Sequence, residues 1–116
     1  MSGRRNMSIT VHLFYTGTNG NARRFADEME KSGTASAIRD EKGNLGYAYY
    51  FPMDDPETVL LIDHWENQEA IDLHHASAMM KTIIDLREKY NLHMRVERLR
   101  PDEGGVPDED SKYIRE

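Results

Sequence analysis

The chain contains no cysteine. Disulfides, thiolate metal sites and cysteine nucleophiles therefore drop out, and a cytoplasmic setting is expected. No apolar run approaches the roughly 20 residues of a membrane span. Arg4 and Arg5 are not followed by an apolar stretch and a small-residue cleavage site. No secretion signal is expected, and residues 1–7 read as a flexible leader. A basic stripe is missing as well. The formal net charge is −6 and the bases are interspersed with acids, which argues against nucleic acid as a partner. Residues 101–116 hold six acids and two bases, net −4, so the remainder is close to −2 and favours no charged partner.

What is present fits one globular domain. The 116 residues are 38% hydrophobic and 31% charged, enough for a single core with little to spare in a monomer. In residues 8–16, Ile9, Val11, Leu13 and Tyr15 alternate with Thr10, His12 and Phe14, which is strand periodicity. Thr18-Asn19-Gly20-Asn21 breaks the strand and offers helix caps. Ala22, Phe25, Ala26 and Met29 follow at helical spacing, and Gly33 is placed to end that helix, so it spans about 20–32. Residues 34–43 read as a polar connection. Leu45, Tyr47, Tyr49 and Phe51 then share one face of a second strand.

Two prolines and two aspartates in residues 52–57 make a turn into a third strand, residues 58–66, which completes a hairpin. Asn67 is a good cap for a short helix over residues 68–75. Ser77 is placed to cap a longer helix through Tyr90. Its apolar side is Met79, Met80, Ile83, Ile84 and Leu86, and its wet side is Arg87, Glu88 and Lys89. Residues 92–99 form the last strand. The acidic tail, 101–116, is expected to be mobile or to lie as an arm on a partner subunit. The domain proper is residues 8–100.

The order is βαββαβ, which predicts an α+β, ferredoxin-like fold with an antiparallel sheet and helices on one face. Val59, Leu60, Leu61 and Ile62 are consecutive, so the third strand is apolar on both faces and needs a second cover. A second copy of the sheet is the simplest cover, giving a homodimer.

The stretch from Asp63 through Trp65, Ala70 and His74 to Ser77 resembles the antibiotic biosynthesis monooxygenase family. There, a strand ending in an acid and a tryptophan leads into a short helix ending His-x-x-Ser. Residues 41–47, with Asn44 and Tyr47 at recurring polar positions, resemble that family's entry to the second strand. Phe25 and Ser32-Gly33 fit its first helix. The resemblance covers roughly residues 8–99. It implies a dimeric α+β barrel with a cavity between sheet and helices in each subunit. It also implies oxidation of a small quinol-like or polyketide-type aromatic by dioxygen, without flavin, haem or metal. The substrate supplies the electrons, and the protein a base, a polar orienter and an apolar pocket. Other members degrade haem, isomerise sugar phosphates, or have no assigned reaction. The haem branch carries an asparagine on the first strand, and residues 8–16 contain none.

On this resemblance His74 is the candidate base, since imidazole titrates near neutrality; packing against Trp65 or capping the helix would equally account for it. Trp65 walls a flat substrate or belongs to the core. Asn44 orients a substrate oxygen or serves the turn after Gly43. Tyr47, Tyr49 and Phe25 are the candidate substrate-binding residues, and an aromatic stripe at period two also suits a core. His75 lies about 100° round the helix from His74 and reads as a surface residue. His93 and Arg95 share one side of the last strand and suit a pocket or a dimer contact. The spacing of His64, His74, His75 and Asp63 matches no metal motif. A non-oxidative dimer of the same fold, acting as an isomerase of a small hydroxylated carbonyl compound or as a binding module, needs the same pocket and proton acceptor.

Overall fold

The computed structural model describes residues 7–116, so the leader expected over residues 1–7 lies outside it except for Met7. Strand β1 (Ile9–Thr16) is followed by helices α1 (Asn21–Lys31) and α2 (Thr34–Arg39). The hairpin of β2 (Asn44–Tyr50) and β3 (Thr58–Trp65) comes next. Helices α3 (Gln68–His75) and α4 (Met79–Lys89) then lead to β4 (His93–Leu99). A short helix α5 (Asp108–Ser111) sits in the exposed tail. The strands form one antiparallel sheet in the order β2-β3-β1-β4, a ferredoxin-like arrangement.

Strand alternation decides which side chains meet the helices. Ile9, Tyr15, Val59, Leu61 and Trp65 point to the helix side and are buried. Phe25 and Met29 of α1 and Ile38 of α2 close over them with no exposed surface. Phe25 lies between Tyr15 and Tyr49, at ring-centroid distances of 4.9 and 6.1 Å.

The other sheet face differs. Phe14, Ala48, Leu60 and Ile62 are half-buried there, and Tyr50 and Leu99 are exposed. His93 and Arg95 also fall on this face by register, and the Arg95 guanidinium lies 4.0 Å from the Phe14 ring centroid. No described helix covers it. Phe51 lies just past the end of β2, exposed, with the Arg23 guanidinium 4.4 Å from its ring centroid.

Three local expectations are corrected. Residues 34–39 are a helix, because Ala35 and Ile38 supply one buried turn that two apolar residues signal only faintly. Gly33 does adopt the left-handed conformation, φ 83°, and it starts α2 as well as ending α1. Ser77 does not cap α4: its hydroxyl donates back to the His74 carbonyl at 2.7 Å, and Ala78 stands at the N-cap. Ile84, expected on the apolar side of α4, is about half exposed. The cap at Asn67 is present, its side-chain oxygen accepting from the Ala70 N–H at 2.9 Å.

One glycine sets how closely α3 approaches the sheet. Gly43 has φ 84°, and a Cβ there would stand 2.5 Å from the Cβ of Ala70 and 3.2 Å from Glu66 Cγ. Its carbonyl accepts the Glu66 N–H at 2.9 Å. A Gly43→Ala variant should be destabilised by about 1–3 kcal/mol, through the left-handed backbone and the clash together. Urea unfolding should show a lower midpoint with an unchanged slope.

Candidate active site

Between the sheet and helices α3 and α4 lies a cavity of about 230 Å3. Its floor follows from register. Tyr47, Asp63, Val11 and Arg98 are successive cross-strand partners, one residue from each strand. The neighbouring rung adds Leu61, Leu13 and Val96. Ile71 and His74 of α3, and Met80, Ile83 and Arg87 of α4, form the roof. The walls are thus apolar with a few polar groups set into them, the usual make-up of a small-molecule site.

His74 is buried, 5% exposed, despite standing one residue from the end of α3. Its ring stacks on the Trp65 indole, with centroids 4.8 Å apart and planes 28° from parallel. Its Nδ1 lies 2.6 Å from Glu41 Oε1. A carboxylate only accepts, so this bond assigns the proton to Nδ1 and leaves Nε2 as the basic nitrogen. Burial holds the imidazole below its ordinary range, and the hydrogen bond and charge of Glu41 pull it back up. The arrangement is a buried base whose tautomer is fixed by a second-row carboxylate.

Asp63 is the only carboxylate among the strand residues that face the helices. It is 7% exposed, and its Oδ1 has no hydrogen-bond partner. Burial pushes its carboxyl up to about 6, against opposing effects of the nearby Trp65 indole and the charge of Arg87. Arg87 donates from Nε and Nη2 to the Tyr15 hydroxyl at 3.1 and 2.8 Å. Arg98 reaches back to Gln68 Oε1.

His74, Trp65 and Tyr47 line the cavity together. Asn44 does not: its amide donates to the Gly46 carbonyl at 3.2 Å, across a register irregularity in β2. Phe25 and Tyr49 lie behind the wall, Phe25 in the core and Tyr49 with its hydroxyl 2.9 Å from that of Tyr47. Burial raises both tyrosine hydroxyls above their ordinary range. His75 is exposed, as its helical angle requires, yet its ring contributes to the cavity rim 5.7 Å from that of His74.

Sequence reasoning missed Glu41, Asp63, Arg87 and Arg98 as site residues. Its neighbours Glu88 and Lys89 place Arg87 on the wet side of α4, yet it lines the cavity. The available signal was its spacing from Met80 and Ile83, which places all three on one helical stripe. Glu41 carried no signal, because its role depends on a loop crossing to another helix. Among the described residues no three His, Asp or Glu side chains converge as a metal site, and no helix is long and apolar enough to cross a membrane.

The sequence model of the antibiotic biosynthesis monooxygenase family matches residues 8–86, well over half of the chain. No curated protein matches the sequence. Several solved structures share the fold. PA3566 from Pseudomonas aeruginosa has a TM-score of 0.72 at 19% identity, covering 85% of this chain and 98% of that one. A protein from Deinococcus radiodurans, provisionally described as an antibiotic biosynthesis monooxygenase, has 0.70 at 21% identity, covering 80% and 91%. SnoaB, a cofactor-independent oxygenase from Streptomyces nogalater, has 0.70 at 12% identity, covering 82% and 93%.

Two buried ionisable groups give opposite pH dependences. The folded state holds His74 below its unfolded value, so its contribution to stability is lost as pH falls from that value through the folded one. Asp63 is raised, so its carboxyl costs nothing below its ordinary value near 3.8 and costs stability as pH rises through about 6. Asp63→Asn should therefore raise stability at pH 8, by roughly 2–3 kcal/mol from the size of the shift, with little gain at pH 4. Thermal unfolding at the two pH values measures this.

Proposed function

We propose that this chain, which belongs to the antibiotic biosynthesis monooxygenase family, is a monooxygenase that oxidises a small quinol-like aromatic with dioxygen, without flavin, haem or metal, as a homodimer. The observation that carries the reading is the buried His74, stacked on Trp65 and hydrogen-bonded to Glu41 in the wall of an apolar cavity. The cavity is smaller than the roughly 300–1,000 Å3 common for drug-sized ligands, which favours one or two fused rings. The aliphatic side chains of the walls would hold such a ring by exclusion of water, with Trp65 backing His74 from behind.

In this reading Nε2 of His74 removes a phenolic proton, and Glu41 stabilises the imidazolium that results. The phenolate is electron-rich enough to reduce dioxygen. A carbon–oxygen bond forms at the ring, and the resulting peroxide breaks its O–O bond. One oxygen atom stays on the ring and the other leaves as water. Quinol plus dioxygen gives hydroxyquinone plus water, with the four electrons coming from the substrate. An apolar pocket suits this chemistry because the charge it stabilises is delocalised and the intermediate is shielded from hydrolysis.

The dimer is supported by the uncovered sheet face, where Phe14, Leu60, Ile62 and Tyr50 would otherwise remain in water. Ile62→Lys should give a folded monomer, because the change puts a charge at the centre of that face while leaving the helix side untouched. Sedimentation at micromolar concentration checks it, and a wild-type monomer would sink this part of the reading.

Oxygen uptake with a panel of reduced naphthoquinols and benzoquinols tests the activity. His74→Ala should lower kcat/KM by about 100-fold or more, the range expected for loss of a general base. Glu41→Gln should lower it by less, with the acidic limb of the pH profile moved down because His74 loses the carboxylate that raises it. Uptake that is absent in the wild type, or unchanged in His74→Ala, would count against the proposal.

A further inference from the structure

We propose that Asp63 is a second ligand-binding group of the cavity, acting as a protonated carboxyl that donates a hydrogen bond to an oxygen atom of the bound aromatic. The two oxygen substituents of a quinol-like aromatic are then addressed separately, one by His74 and the other by Asp63. This inference rests on the functional reading above.

The geometry carries it. Every other strand residue on the helix side of the sheet is apolar, aromatic or hydrogen-bonded. Asp63 stands in the middle of that rung, between Tyr47 and Val11, on a strand paired on both sides. Nine-tenths of it is buried, and Oδ1 has no partner. An unpartnered carboxylate oxygen at such a place is costly, and a neutral carboxyl costs far less. It also converts an acceptor into a donor.

The groups packed around Asp63 do not ionise it fully. Arg87 approaches from α4 but spends two N–H groups on the Tyr15 hydroxyl. Arg98 lies two strands away and is held by Gln68. Tyr47 flanks it on β2, and its hydroxyl is engaged with that of Tyr49. Trp65, two residues on, favours the ionised form, and its indole stacks on His74, which is tied to Glu41. Burial outweighs these effects and already favours the neutral form toward mildly acidic pH. A ring filling the cavity expels water and moves the balance further the same way. His74 and Asp63 then offer one acceptor and one donor to the same cavity. A ring with one hydroxyl engages only one of them.

Anaerobic calorimetry with naphthalene-1,4-diol and 1-naphthol tests this without requiring turnover. The wild type should bind the diol about tenfold more tightly, the worth of one additional well-made hydrogen bond. Asp63→Ala should lose that preference. Asp63→Asn keeps an N–H donor of the same size and should retain most of it, with none of the fading that the wild type shows as pH rises above the carboxyl's range. Equal affinity of the wild type for both compounds overturns the inference and leaves the functional reading standing. So does a preference that survives in Asp63→Ala. Binding of neither compound overturns the functional reading and this inference with it.

Discussion

The hydrogen bond between Glu41 and His74 joins two parts of the chain that are far apart in sequence, and the cavity is organised around it. Glu41 lies in the turn before β2, His74 on the last turn of α3. They meet because Gly43 lets the turn and the helix approach to a distance that any side chain would prevent. The same approach presses the imidazole flat against Trp65. Position, tautomer and burial of the imidazole are thus set by one close backbone contact rather than by the histidine's own neighbours in sequence.

Sheet register does the corresponding work for the floor. The rung Tyr47, Asp63, Val11, Arg98 crosses all four strands. A slip of one residue in any pairing would turn a polar group of that rung outward. The buried residues on both sides of it, Ile9 and Trp65 at one end, Tyr15 and Val59 at the other, oppose such a slip. Core packing and site geometry are therefore one constraint.

The strand order, the first helix and the hairpin were legible because each rests on local periodicity and on turn residues. Asn67 was legible for the same reason: a cap is read from the residues beside it. Trp65 and His74 came from the family resemblance and share a cavity wall. Glu41 was not legible, because it becomes meaningful only through His74, more than 20 residues away, and the unpartnered oxygen of Asp63 shows only once the elements around it are packed. Helix α2 was missed since one buried turn is too short a signal for a 3.6-residue period.

The edge strand β4 is exposed along its whole length, with His93, Arg95, Glu97 and Arg98 distributed over both faces. An unpaired strand edge of apolar residues is a template for adding a foreign strand and growing fibrous aggregates. Here a stranger docking along β4 would have to strip water from four ionisable side chains, three of them capable of positive charge. The lateral edge is thereby made inhospitable to polymerisation.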